Sequence, residues 1–359
     1  MQRIAVIGGG IAGLTVALRR SSAGDDVVLF EAAPKVGGQL ASECTDGFVV
    51  EHGGEGFVAR SEAVPALAAE AGITSHIVEQ LVQRSFRFDA GQLIALAPGE
   101  AGRLLGFQVA SEELGRGIRS FRHGMAELPE RLALALGSRA ELRLGTLVAG
   151  VIPRGAGVTL STPNPQSEHF DAVVVATTAR SAAALLDSAF GPVARALRDS
   201  ALLSSLTVTL AFLSEHVAHP LDATGFIVPD PTQLDGVRAV TFVSSKLPNR
   251  APPGSVLLRV FFRPSAEDLR SLSDGAWAER AERALAAALP LTGRAERSWV
   301  SRWSDALPVF DQDHRERVAA LESALAPHPI RLAGAAFHGS GIDAAIRSAE
   351  TAASALGSA

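Results

Sequence analysis

The stretch Arg3–Glu31, RIAVIGGGIAGLTVALRRSSAGDDVVLFE, reads as a strand, a glycine turn, a helix and a second strand. Arg3–Ile7 is short and apolar, and Gly8–Gly13 is the turn. Leu14–Arg20 starts the helix, and Asp25-Asp26 leads the chain into Val27–Phe30. Within Gly8-x-Gly10-x-x-Gly13 each glycine has a separate task. Gly8 permits the tight turn, Gly10 lets a pyrophosphate approach the backbone, and Gly13 lets the helix pack on the strand. The start of the helix supplies N–H groups and a partial positive charge suited to phosphates. Glu31 lies 23 positions after Gly8, where a carboxylate accepts hydrogen bonds from ribose hydroxyls. The glycine spacing alone is weak evidence. Two strands, a helix and an acid in the right order make it a dinucleotide-binding unit.

Working outward, Lys35-Val36-Gly37-Gly38 follows the acid, and Glu51-His52-Gly53-Gly54-Glu55-Gly56 forms a second glycine cluster. The chain returns to this style near its other end, with a strand at Ile330–Ala333, glycines at 334, 339 and 341, and an Ala-rich helix. The runs Glu141–Val151, Gly157–Ser161 and Phe170–Ala176 read as strands, the last apolar enough for burial on both faces. Helical spacing occupies Ser61–Gly72 and Gly124–Leu136. Residues 86–96 form a hairpin that turns at Asp89-Ala90-Gly91. The middle third differs: Leu206–Phe212, Gly225–Val228, Ala239–Val243 and Val256–Phe262 predict an antiparallel sheet. A helical region over Ser265–Ala288, with a break at Gly275, and a strand over Ser298–Trp303 follow. The expected organisation is an α/β nucleotide-binding domain (residues 1–60, 121–185 and 326–359) interrupted by an antiparallel-sheet plus helix substrate domain (residues 61–120 and 186–325).

Composition narrows the function. The 359 residues carry 33 basic and 38 acidic side chains, a net charge of −5, which gives no electrostatic case for nucleic acid or an anionic membrane. Ile4–Leu18 and Ser200–Ser214 are the longest charge-free runs, at 15 residues, short of the roughly 20 apolar residues a membrane span needs. The glycines in the first run make it a poor signal-peptide core. A cytoplasmic protein without spans is expected. Cys44 is the only cysteine, which excludes an internal disulfide and a multi-thiolate metal site; no metal is expected. Tyrosine is absent, so no tyrosine acts as a general acid or walls an aromatic cage.

The continuation RIAVIGGGIAGLTVAL…VVLFEAAPKVGGQLAS…GFVVEHGGEGF resembles flavoproteins of the amine oxidase and protoporphyrinogen oxidase superfamily. The likeness to protoporphyrinogen oxidases runs along nearly the whole chain. Phe121–Leu128 (FRHGMAEL) resembles the glycine-led helix start, and Thr146-Leu147-Val148 the strand whose valine backbone meets adenine. Asp171–Thr178 (DAVVVATT), Leu307–Val318 (LPVFDQDHRERV) and Arg331–Ser348 (RLAGAAFHGSGIDAAIRS) follow in order. Val243–Val260, VSSKLPNRAPPGSVLLRV, separates this family from its relatives. The resemblance implies a glutathione-reductase-like, Rossmann-type FAD domain. It implies that FAD meets Gly8, Gly9, Gly10, Ile11, Ala12, Gly13, Glu31, Ala32, Gln39, Gly53, Gly54, Glu55, Gly56, Val148, Ser340, Gly341 and Ile342. The last three open a helix aimed at the flavin ring.

The expected activity is removal of a hydride from a C–H or C–N bond to flavin N5, with O2 as a possible acceptor. Protoporphyrinogen IX is the leading small-molecule substrate. A compact oxidase or dehydrogenase of another molecule, renalase-like in size, and a flavin-binding partner protein without turnover remain open. The sequence departs from the family in residues 91–121, which replace a much longer helical segment that builds the membrane-facing part and one pocket wall; a partner protein could complete the pocket. Gln39 stands where many relatives have arginine. The lysine of amine oxidases is missing from Leu206–Phe212, with Thr207 and Val208 in that area. No catalytic residue stands out. His52 and His338 neighbour flavin turns, where loop histidines are usually plain contacts. His314 with Asp311 and Asp313 reads as a solvated loop and helix cap, and Cys44 as a small buried residue. Trp299 and Trp303 share one strand face. Arg119, Arg122 and His123 could bind substrate carboxylates or form a solvated surface.

Overall fold

The computed structural model describes residues 1–59, 61–104, 117–163 and 167–356. Part of the shortened segment 91–121 and the last three residues of the chain lie outside the described residues. The opening unit forms as its sequence dictates. Arg3–Ile7 and Asp26–Phe30 pair in parallel around the helix Ile11–Ser22, whose residues 11–18 are all buried. They belong to a five-stranded sheet ordered Ala140–Arg143, Asp26–Phe30, Arg3–Ile7, Ala172–Val175 and Ile330–Leu332. All four pairings are parallel. Ala172–Val175 is buried at every position, which explains its unbroken apolar sequence. From Arg3–Ile7 the chain first moves to one side and later to the other, so the sheet changes direction beside this strand. Ligands of such sheets bind at the carboxyl ends flanking that switch.

The second sheet has seven strands, ordered Arg297–Pro308, Leu202–Leu213, Ser255–Phe262, Val237–Phe242, Gly225–Ile227, Phe86–Asp89 and Gln92–Ala95. Helix Asp274–Ala288 packs its Trp277, Ala281 and Leu285 into the apolar cluster on one face. The four strands expected to form an antiparallel sheet do so, and the hairpin strand Phe86–Asp89 adds to its edge by pairing in parallel with Gly225–Ile227. The hairpin at residues 86–96 forms as expected, with Ala90 and Gly91 both at positive φ. The helical region breaks before Ser273 rather than at Gly275. Ser265 and Ser273 each cap a helix by accepting a backbone N–H three residues on, so two helices start there. Among the described residues no helix is long and apolar enough to cross a membrane.

Candidate active site

The first glycine turn lies at the carboxyl end of Arg3–Ile7. A Cβ at Gly8, whose φ is +112°, would overlap the carbonyl oxygen of Ala176, and one at Gly13 would overlap that of Gly8. Gly10 is different. Its φ of −74° and ψ of 179° suit any residue, and a Cβ there would meet nothing within 4 Å. Neither the backbone nor the chain's own packing requires glycine at this position, whereas a ligand lying against it would. The helix beginning at Ile11 has no side-chain cap, so its first N–H groups can serve a phosphate. These observations fit a dinucleotide.

Glu31 closes the other side of the turn. Its Oε2 accepts from the Gly9 N–H at 2.6 Å and its Oε1 from Ala33 at 2.8 Å. A carboxylate has lone pairs beyond these two, so Glu31 shapes the turn and can still accept ribose hydroxyls. Beyond Ala32, the N–H groups of Gly145 and Thr146 donate to the carbonyls of Ala33 and Glu31, both at 2.8 Å. They bring buried Val148 to the Glu31 end. The expected continuous strand over Glu141–Val151 is corrected: strands Ala140–Arg143 and Gly150–Arg154 flank a loop that contains Thr146–Val148. That loop is tied to the turn after Asp26–Phe30 instead of pairing with a neighbour.

The second glycine cluster is strapped to residues 39–41. Gly54 donates to the Gln39 carbonyl at 3.2 Å, and a Cβ on Gly53 would overlap that oxygen. The Gln39 amide itself donates to the Ala306 carbonyl at 3.0 Å. Cations from the seven-stranded sheet reach this loop. Arg259 Nη2 donates to the carbonyls of Gly53 at 2.8 Å and His52 at 3.3 Å, and to Thr207 Oγ1 at 3.2 Å. Lys246 Nζ pairs with Glu55. Arg250 donates to Ser120 Oγ at 2.6 Å and lies 3.4 Å from Glu51. Burial raises the pKa of a carboxyl, but at Glu55 the charges of Lys246 and Arg259 outweigh it and hold the pKa below its usual value. At Glu51 burial prevails over Arg250 and the pKa rises. Glu55 Oε2 is buried with no hydrogen-bond partner, a polar atom left over beside the expected flavin path.

Ser340, Gly341 and Ile342 open the closing helix Ile342–Ala355. Gly341 is its N-cap at φ +96°, and no side chain caps it. Ser340–Ile342 and Gly56 share a cleft of about 1060 Å³ with Phe57, Val58, Ile118, Arg331 and Arg347. Gly8–Gly13 and Glu31 do not line that cleft. The first turn instead touches Gly37, which donates to the Gly9 carbonyl at 2.9 Å, and Gly334, two residues beyond the cleft residue Leu332, where a Cβ would meet that of Ala12 at 3.6 Å. The expected FAD residues therefore fall into a turn end and a cleft end.

The other candidates have specific partners. His52 has both ring nitrogens engaged, Nδ1 with Ser301 Oγ at 2.8 Å and Nε2 with Glu43 at 3.4 Å. Burial, partly opposed by Glu43, lowers its pKa, which makes it a neutral contact. Trp299 and Trp303 do face one way: their indole N–H groups donate to Glu43 at 3.1 Å and to the His52 carbonyl at 2.7 Å. Asp311 caps a helix as expected, but His314 is corrected from solvated to buried, with Nε2 3.1 Å from the Ala336 carbonyl oxygen. Cys44 is corrected from buried to exposed, because it sits on the outer two-stranded ladder Ser42–Glu51. Arg119 pairs with Glu79 at 2.8 Å, Arg122 donates to the Ser75 carbonyl at 3.0 Å, and His123 meets Glu127 at 3.1 Å. The sequence reading assigned no role to Lys246, Arg250 or Arg259. The available signal was Arg259 inside the apolar run Val256–Phe262, since a buried cation demands partners.

A parallel nucleotide-binding sheet, two uncapped helix starts and a second sheet that grips the glycine loop define a two-sheet flavoprotein fold. The chain belongs to the family described as flavin containing amine oxidoreductase, whose profile matches residues 78–357; an NAD(P)-binding Rossmann-like profile matches residues 6–71. It is an FAD-dependent oxidoreductase. It is 23% identical over 450 positions to the coproporphyrinogen III oxidase of Bacillus subtilis (strain 168), covering 95% of each chain. A 96-residue stretch is 40% identical to the coproporphyrinogen III oxidase of Mycobacterium leprae, covering 26% of this chain and 21% of that protein. Among solved structures, a proposed protoporphyrinogen oxidase of Exiguobacterium sp. 255-15 superposes with a TM-score of 0.83 at 23% identity, over 99% of this chain and 98% of that one. Reduced UDP-galactopyranose mutase gives 0.81 at 14% identity, over 100% and 96%.

Proposed function

We propose that this chain oxidises a porphyrinogen, protoporphyrinogen IX or coproporphyrinogen III, to the corresponding porphyrin. The observation that carries this reading is the end-to-end likeness to coproporphyrinogen III oxidases of Bacillus subtilis and Staphylococcus aureus, over 95% and 98% of the chain. Gly8–Gly13, Glu31, Ala32 and Val148 would hold the adenosine and pyrophosphate end of FAD. Gln39, Gly53–Gly56 and Ser340–Ile342 would hold the flavin end. On this reading residues 1–60, 121–185 and 326–359 form the FAD domain, and the remaining segments form the substrate domain. FAD, when bound, would accept two electrons at a time, so the six-electron oxidation of a porphyrinogen to a porphyrin would take three turnovers, each closed by O2 taking the two electrons from the reduced cofactor. The chain orients it, keeps water from its face and offers the N–H groups at the start of the closing helix to negative charge.

The cleft beside that helix start has room for a large ligand. Among the described residues Arg331 in its wall meets no carboxylate and donates to the carbonyls of His328 and Ile330, both at 2.8 Å, which leaves its charge for a propionate of the substrate. The test is an anaerobic titration of the flavoprotein with each porphyrinogen, following flavin absorbance at about 450 nm and porphyrin fluorescence. Bleaching that air reverses, with porphyrin release, is expected. Flavin that stays oxidised with both would overturn the reading. Arg331→Ala is expected to raise KM several-fold while flavin content holds. The alignment with the Bacillus subtilis protein spans roughly a hundred positions more than this chain fills. That shortfall favours, as a second reading, an oxidase of a smaller molecule, and a panel of amines and dihydronicotinamides in the same assay separates the two.

A further inference from the structure

One cluster of chemically capable side chains takes no part in the cofactor cradle. His76 ends the short 3₁₀ turn Thr74–His76, His123 sits in the turn after strand Ile118–Phe121, and Glu127 opens helix Glu127–Leu136. The pairing of Ile77 with Phe121 draws the two histidines together. Their ring centroids are 5.6 Å apart at an interplanar angle of 83°. The turn through Gly124, at φ +94°, folds the chain back so that Glu127, the first residue of the helix, faces His123. His76 Nδ1 lies 2.5 Å and His123 Nδ1 3.1 Å from the same carboxylate oxygen, Oε1 of Glu127. One ligand atom from each residue falls within 4.8 Å of the other two, and no other group of this kind occurs among the described residues.

We propose that His76, His123 and Glu127 bind a divalent transition-metal ion, Zn2+ in the first instance. Two imidazoles and a carboxylate are a recognised zinc donor set, and they leave a fourth tetrahedral position for water. Zinc bonds of about 2.0–2.2 Å place neighbouring donors roughly 3.3 Å apart, so each imidazole Nδ1 needs to draw back from the Glu127 oxygen by less than an ångström. Glu127 is nearly buried, His76 is half-buried and His123 is exposed. The site is thus anchored from below and open to an ion from above. Neither histidine's Nε2 has a partner among the described residues. Each ring can therefore carry its proton on Nε2 and turn a bare Nδ1 to the metal, with no net loss of protons from the imidazoles. The ion would bridge the 3₁₀ turn to the helix. Two residues before Glu127, the Met125 N–H donates to Glu51 at 2.9 Å, and Glu51 leads directly into the second glycine cluster. Metal binding would thus stiffen the support of the cofactor loop without entering the redox chemistry. The inference does not depend on the identity of the substrate.

The test uses the intact flavoprotein stripped with a chelator. Zn2+ is titrated by calorimetry, and Co2+ is followed by its visible ligand-field bands. One saturable equivalent, a four-coordinate cobalt spectrum and a rise in Tm are expected. His123→Ala, at an exposed position, should weaken Zn2+ at least as much as the roughly tenfold loss that even an outer partner of a ligand causes, with flavin content unchanged. His76→Gln should act likewise. Absence of saturable uptake, or uptake unchanged in the doubly substituted protein, would overturn the site and leave a hydrogen-bonded His–Glu cluster.

Discussion

Gly10 and Gly13 stand three positions apart and answer to different constraints. At Gly13 a methyl group would overlap backbone, the Gly8 carbonyl, which has no flexible end to move aside. Gly13→Ala is expected to cost about 2 kcal/mol or more in urea unfolding, within the range for overpacking, and to lose FAD. At Gly10 the same methyl group meets open space. Gly10→Ala should leave the Tm of the apoprotein unchanged yet reduce bound FAD at least tenfold; normal flavin content would refute the proposed pyrophosphate position. His338 gives a second test at this scale. Its hydrogen bond to Glu322, at 2.9 Å, raises its pKa above the ordinary 6.5 against partial desolvation. A histidine raised on folding contributes stability that is full below its unfolded pKa and is lost as pH rises through the folded value. Arg331, Asp343 and Arg347 line the same cleft. In Tm measurements from pH 6 to pH 8, the fall due to this pair should vanish in His338→Gln. An identical profile would show that the pair contributes nothing.

Among the elements, strand Ser255–Phe262 ties the seven-stranded sheet to the second glycine loop, because Arg259 reaches from it to the carbonyls of His52 and Gly53. Removing its guanidinium would leave buried carbonyl and hydroxyl acceptors unsatisfied, at about 1–3 kcal/mol. Arg259→Met should therefore destabilise and loosen FAD, and Arg259→Lys should recover only part of both, since its shorter flexible stem does not hold its donors in place against Thr207 and the two carbonyls. Equal stability of Arg259→Met and wild type would remove the strand's joining role. Such elements differ in how much of them can be read from sequence. Arg3–Glu31 was fully legible, because its strand, turn, helix and acid are neighbours in sequence and in space. The two helices of residues 266–288 were legible in existence but misplaced at their junction. Glycine at 275 looked like the breaker, but the capping hydroxyl of Ser273 sets the start. The parallel pairing of Phe86–Asp89 with Gly225–Ile227 left no trace, since alternation reports which face is buried and not which strand lies alongside. For the same reason the sequence supplied the glycines of the site but not their cationic supports. Lys246 and Glu55 are 191 positions apart.

Across the whole molecule, the seven-stranded sheet does not merely sit beside the parallel one. Arg259, Trp303 and the Ala306 carbonyl bind residues 39 and 52–53, so the two share one support. Unfolding followed by calorimetry should give one transition for the flavoprotein, and two well-separated transitions would contradict this coupling. FAD at a hundredfold excess over its Kd should add about 2.7 kcal/mol to unfolding. The order of the parallel sheet also has a consequence for how the protein is made. Its edge strand Ile330–Leu332 pairs with Ala172–Val175, yet the ribosome releases it more than 150 residues later. Until then Ala172–Val175 is an open edge, the kind of surface that pairs with other chains. The turn Ser340–Ile342 emerges later still, so on the proposed reading a nascent chain cannot hold the flavin end until that turn has been made. Holoenzyme yield should therefore depend on free FAD and chaperone capacity after Ile330–Ile342 has emerged, not while the opening glycine turn stands alone.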